Sequence, residues 1–156
     1  MKRIELEKKQ IKKKFVFENS DYNDQCKIIN CLYLEDNNLE NKKEYLNYIK
    51  LKYNNYIYQD KKNNIYSKDF FLTLEDFINK LVECKLICFY CKKKCILFHK
   101  HSYDKSQITL ERIDNNKGHT NENTVIACLN CNLSRGNLNC NKFIESQKIK
   151  IIRKIT

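Results

Sequence analysis

Two CxxC pairs, Cys88/Cys91 and Cys128/Cys131, constrain this chain more than any other feature. A CxxC turn can present both sulfurs to one ion, and two such turns supply the four thiolates of a tetrahedral structural zinc site. The 36 residues of segment 92–127 separate the pairs, more than the roughly 15–20 of common zinc ribbons, so a folded insert must sit between them. A closed site of four thiolates leaves zinc no open coordination position. The ion would therefore hold the fold together, and any chemistry must come from the insert. Cys95, followed by His99 and His101, offers a rival ligand set or a second metal. Cys26, Cys31, Cys84 and Cys140 lack paired spacing and read as ordinary, partly buried thiols.

Nine cysteines is an odd number, and metal binding in a reducing compartment explains their use better than a disulfide framework does. No apolar run approaches the ~20 residues that cross a bilayer, and the start MKRIELEKKQIKKKFVF has acidic residues and no apolar signal core. The expectation is a soluble, intracellular protein with no membrane partner. The balance of 30 Lys and Arg against 19 Asp and Glu, a net charge of +11, favours a polyanionic partner, with nucleic acid first. Lys, Asn, Ile and Tyr all have A/T-rich codons, so nucleotide bias accounts for part of the Lys excess. Lys8, Lys9, Lys12, Lys13 and Lys14 at one end, and Lys148, Lys150, Arg153 and Lys154 at the other, could follow a phosphate backbone or simply be solvated.

A length of 156 residues suits one domain, or a small zinc module with a helical extension. Composition shifts near residue 73. Before it lie an amphipathic start (Ile4, Leu6, Ile11, Phe15), an apolar stretch from Cys26 to Leu34, and a Tyr-rich segment. Tyr45, Leu46, Ile49 and Tyr53 recur at helical spacing, whereas Tyr56 and Tyr58 alternate as in a short strand. Tyr45, Tyr48, Tyr53, Tyr56 and Tyr58 could stack on bases, but half-buried core is the commoner fate of such tyrosines. Thr73 with Asp76 forms a capping-box pattern ahead of Leu74, Phe77, Ile78, Leu81 and Val82, which predicts a helix leading into Cys88. Strands are expected near 96–100 and 107–113, a turn at Asn115 to Gly118, a short helix ending near Gly136, and a last helix over 141–152 with Phe143, Ile144 and Ile151 inward. The organisation expected is α+β: a basic, Tyr-rich and mainly helical extension (1–72), a zinc module (73–140), and a basic C-terminal helix (141–156).

The segment TLERIDNNKGHTNENTVIACLNCNLSRG, from Thr109 to Gly136, resembles the HNH endonuclease family, the ββα-metal fold. The nearest form is the variant of phage and large DNA viruses with a D-R-I-D-N, G-H, N, C-x-x-C-N signature. The resemblance covers about Leu74 to Gly136. It implies that Glu111 is the first carboxylate and Asn132 the final His-or-Asn position, together holding a catalytic divalent cation such as Mg2+ or Mn2+. It further implies that Asn123 is the central Asn that holds the catalytic loop. The family's general-base His follows the first acid, and here Arg112 stands in that place. An arginine stays protonated, so it cannot take a proton from water and would clamp a phosphate oxygen instead. His119 and Asp114 remain as candidates for the base, with His119 favoured because an unperturbed imidazole titrates near pH ~6.5.

On this reading the chain is a metal-dependent endonuclease that hydrolyses DNA, with double-stranded DNA the expected substrate. A zinc-folded nucleic-acid-binding module whose chemistry has decayed is the alternative that Arg112 leaves open. An assembly protein that uses the zinc module only as scaffold is a third. Taken singly, Glu111 with Arg112 could be a surface ion pair, and Asp114 with Asn115 and Asn116 a turn cap.

Overall fold

The computed structural model describes residues 20–155, so the amphipathic start at Ile4 to Phe15 and the lysines at 8–14 lie outside the described residues. The fold is α+β, running α1 (Tyr22–Tyr33), α2 (Lys42–Lys62), α3 (Leu74–Glu83), β1 (Ile108–Arg112), β2 (Thr124–Cys128), α4 (Leu129–Arg135) and α5 (Cys140–Ile155). Asp21 caps α1 by accepting from the Asp24 N–H, and Gln25, Ile28, Ile29 and Leu32 form the buried stripe of that helix. The capping box at Thr73 and Asp76 is present, and Phe77, Ile78 and Leu81 are the buried face of α3. Helix α1 packs on α3, and Ile28, Ile49 and Tyr56 share one core with Leu86, Leu97, Ile108 and Phe143. The segment before residue 73 is therefore packed into the same core as the half that carries the CxxC pairs.

Two sequence expectations are corrected. Tyr56 and Tyr58 lie inside α2 and not in a strand, because Ile49, Tyr53, Tyr56 and Asp60 continue a 3.6-residue stripe. Tyr58 falls off that stripe and is 67% exposed. Tyr45 and Tyr48 pack on Phe98, Tyr53 on Phe71, and Tyr56 on Phe77, which is the core role and not a base-stacking one. Segment 96–100 also forms no strand. The Gln25 carboxamide takes its backbone bonds instead: Oε1 accepts from the Leu97 and Phe98 N–H groups at 2.8 and 3.0 Å, and Nε2 donates to the Phe98 carbonyl at 3.1 Å. What remains of the expected pairing is an isolated bridge from Ile96 to Gln107.

The hairpin partner of β1 is β2, antiparallel, with Ile108 opposite Cys128 and Leu110 opposite Ile126. The other edge of β1 is closed by α2. The Leu110 N–H donates to the Tyr56 hydroxyl at 3.0 Å, and the Lys52 ammonium donates to the Ile108 carbonyl at 3.4 Å. Burial pulls Lys52 down to about 8 and pushes Tyr56 up to about 12. An exposed strand edge is a pairing hazard, and these two side chains satisfy it from within the chain. The short helix expected behind the second CxxC in fact begins inside it, with Cys128 as N-cap, and ends at Gly136, whose φ of 51° suits glycine. In α5, Phe143 is buried and Ile144 half-buried, as expected, while the side chain of Ile151 lies outside the described residues.

Tyr56→Phe should leave the buried Leu110 N–H without its acceptor and cost about 1–2 kcal/mol. Thermal denaturation should show Tm lower by roughly 3–8 °C, with Tyr58→Phe, at an exposed site, unchanged.

Candidate functional site

The four sulfurs of Cys88, Cys91, Cys128 and Cys131 lie within 4.8 Å of one another, in a largely buried group that could hold a structural metal ion such as zinc. The Cys91 and Cys128 sulfurs are 3.9 Å apart, close to the edge of about 3.8 Å that Zn–S bonds of about 2.3 Å give a tetrahedron. Backbone N–H groups point at the sulfurs: Cys128 donates to Cys88 Sγ at 3.3 Å, and Cys131 to Cys128 Sγ at 3.4 Å. Such donors favour thiolates, so the chemistry of the donor set fits zinc. The first knuckle turns through Lys92 at φ 57°, a left-handed residue in a chain with only two glycines. Cys95 is fully buried against Cys88 and Cys128 but stands outside the four-sulfur group. His99 Nδ1 lies 2.9 Å from the His101 carbonyl, and neither histidine joins a metal-ligating group among the described residues.

Strand β1 and helix α4 form the second part of the site. Thr109 and Glu111 share a face of β1, and Asn132 and Arg135, one helical turn apart, share a face of α4. Asn132 Nδ2 donates to Thr109 Oγ1 at 3.0 Å. The Arg135 guanidinium binds the Glu111 carboxylate in a buried ion pair and also donates to the Arg112 carbonyl (2.7 Å), the Ile113 carbonyl (2.7 Å) and Asn115 Oδ1 (3.2 Å). Its Nε finds no hydrogen-bond partner among the described residues. Burial pushes the Glu111 carboxyl up, opposed by the hydrogen bond and charge of Arg135. Arg112 folds back on the following loop, donating to the carbonyls of Asn115 at 3.1 Å and Lys117 at 3.4 Å.

That loop is held by Asn123. Its Nδ2 donates to the carbonyls of Asp114 and Gly118, both at 3.0 Å, and its Oδ1 accepts from the Asp114 N–H at 2.9 Å. The Asp114 side chain is half-exposed and caps the turn through the Asn116 N–H at 3.0 Å. His119 is different: only 2% exposed, it is turned inward, with Nδ1 2.6 Å from Asp60 Oδ1 and its backbone N–H donating to Asp60 Oδ2 at 2.7 Å. Desolvation lowers the His119 pKa, with Asp60 opposing. The preference for His119 as base is therefore corrected, because its ring is held against a buried carboxylate and only 2% of the residue is exposed. Gly118 has its own reason to be glycine, since a Cβ there would lie 2.7 Å from the Ile65 carbonyl and 2.8 Å from Asp60 Oδ2.

Sequence reasoning missed Asp60 and Arg135. Asp60 carries no motif and pairs across 59 residues. Arg135 lies inside the quoted segment, three residues beyond Asn132, so helical spacing from the second knuckle could have found it. Neither a family model, nor a curated protein, nor a solved structure matches this chain.

Metal analysis of the purified protein should find one zinc per chain. A strong chelator at pH 7 should release it and collapse the near-ultraviolet circular dichroism, because binding and folding are one equilibrium for such sites. Cys131→Ala should copy the chelator, while Cys26→Ser, at a half-exposed thiol outside the group, should keep both zinc and fold.

Proposed function

We propose that this chain is a metal-dependent nucleic-acid endonuclease of the HNH, ββα-metal type, acting on DNA. The observation that carries the reading is the seam of β1 and α4. An acid (Glu111, paired with Arg135) and an amide (Asn132, bonded to Thr109) come together there beside the four-sulfur group, in the chain order hairpin then helix, while Arg112 ends β1 and rests on the loop that follows. The exposed basic residues Lys148, Lys150, Arg153 and Lys154 of α5 suit a phosphate backbone.

Glu111 and Asn132 offer oxygen ligands of the kind that hold a hard cation. Glu111 already draws a positive group, the guanidinium of Arg135. When bound, a divalent cation supplies charge stabilisation on the scissile phosphate and lowers the pKa of its water. For Glu111 to take it, Arg135 has to swing aside, and its unpartnered Nε makes the present seat less than ideal. Arg112 lies on the loop that would face the phosphate and can clamp an oxygen by two donors. With His119 turned inward, Asp114 is the carboxylate left to accept the proton of the attacking water. Asn123 fixes the loop that carries it, and the Asp60–His119 pair anchors the end of that loop.

The second reading is a binding module without chemistry. It is favoured by the same ion pair, since Arg135 supplies in place the charge that a cation would bring, and by Arg112 at the position of the base. Supercoiled plasmid separates the two. The zinc-loaded protein should nick it only with added Mg2+ or Mn2+, the Glu111→Ala/Asn132→Ala variant should leave it intact, and Asp114→Asn should slow nicking by ~10²–10⁴. Intact plasmid with retained, salt-sensitive binding would replace the endonuclease reading with the binding-only one.

A further inference from the structure

The loop on which Arg112 rests also walls a cavity of about 300 Å³, lined by the apolar side chains of Ile65, Phe70 and Phe71 and by polar groups that include the buried Asp60–His119 pair, Asn116, Lys117 and Thr120. Phe71 is a rigid floor. Its ring packs on Tyr53 and Tyr66, each at 5.5 Å, and on His119 at 6.1 Å, while its backbone bridges to Thr120. Phe70, the next residue, is the opposite case: 72% of it is exposed. Its ring stands in water beside the cavity that it helps to line. The surroundings are basic. Lys61, Lys62, Lys68 and Lys117 are exposed there, against Asp69 beside Phe70 and the Asp114 carboxylate 3.9 Å from the Lys117 ammonium, and the Lys61 ammonium lies 5.0 Å from the Tyr66 ring.

We infer that this cavity receives one unpaired nucleobase, stacked on Phe70 and Phe71, while Lys117 and Lys68 meet the phosphates on either side. The inference rests on the nucleic-acid reading above and names which part of the strand the protein grips. Aromatic faces and backbone cations are the two parts of sequence-tolerant single-strand recognition, because every base has a π-face. The Asn116 amide and the Thr120 hydroxyl can meet the polar edge of a base. The lysines select against a plain apolar ligand, and the cavity cannot take a base still paired in a duplex unless it is extruded. Because Arg112 donates to the carbonyl of Lys117, a phosphate clamped by Arg112 is carried on the same loop as the cavity wall. The stacked base would then belong to a nucleotide close to the one under attack.

The chain contains no tryptophan, so Phe70→Trp installs a single indole at the proposed stacking position. The full chain, zinc-loaded, is titrated with a single-stranded oligonucleotide, a duplex carrying one unpaired base, and a blunt duplex of equal length, with anisotropy of labelled strands read in parallel. Saturable quenching by the first two and not the third is expected. Phe70→Ala, at an exposed position, should weaken single-strand binding between roughly fivefold and a hundredfold and leave the blunt duplex unchanged. Single-strand binding with an unmoved indole signal and no effect of Phe70→Ala overturns this inference alone, even if plasmid nicking is observed. Absence of any nucleic-acid binding by the wild-type protein removes the nucleic-acid reading and this inference with it.

Discussion

Two cysteine turns, 40 residues apart from Cys88 to Cys128, meet at one point, and the placement of β2 and α4 depends on that meeting. Closing that loop costs chain entropy that a short, two-stranded sheet cannot recover by itself. A metal ion held by the four cysteines, which lie close enough to bind one, would supply the closing free energy. Once closed, the knuckles fix where β2 ends and α4 begins, because Cys128 is at once the last residue of the strand and the N-cap of the helix. The positions of Asn132 and Arg135 over β1 follow from that single junction.

The second requirement is that buried polar groups be paired. Gln25, Asp60, Glu111, His119, Asn123 and Arg135 are all buried, and all but Asn123, which ties its own loop, find partners in other parts of the fold. Gln25 in α1 replaces a missing strand for Leu97 and Phe98, Asp60 in α2 holds His119, and Tyr56 and Lys52 close the edge of β1. The first two helices are thus structural members of the site and not an appendage to it. The Glu111–Arg135 pair is the exception in character. Burying two charges is repaid only by excellent geometry, and here one guanidinium N–H is left unpaired. It is the place in the molecule where a change of occupant is easiest to envisage.

Local signals in the sequence were legible and distant ones were not. Each CxxC pair, the α3 capping box, the turn at Asn115 to Gly118, the end of α4 at Gly136 and the inward Phe143 all show themselves within a few residues. The clash at Gly118, the seating of His119 and the failure of segment 96–100 to form a strand depend on Asp60 and Gln25, whose partners are 59 and 72–73 residues away. Periodicity also misled at Tyr56 and Tyr58, where two tyrosines alternate by chance across a helical stripe completed by Asp60. The inward His119 shows the functional consequence: titration range alone nominated it as base, and burial assigns it to anchoring.

The endonuclease reading requires the β1–α4 seam to be a cation seat that Arg135 now fills. Mn2+ titration followed by electron paramagnetic resonance, on the zinc-loaded wild type, Glu111→Ala and Arg135→Lys, tests this directly. One bound Mn2+ per chain is predicted in the wild type, tighter binding when the shorter lysine weakens the competing pair, and loss of the site in Glu111→Ala. Free aquo-ion spectra in the wild type and Arg135→Lys alike, or a bound site that survives Glu111→Ala, would contradict it.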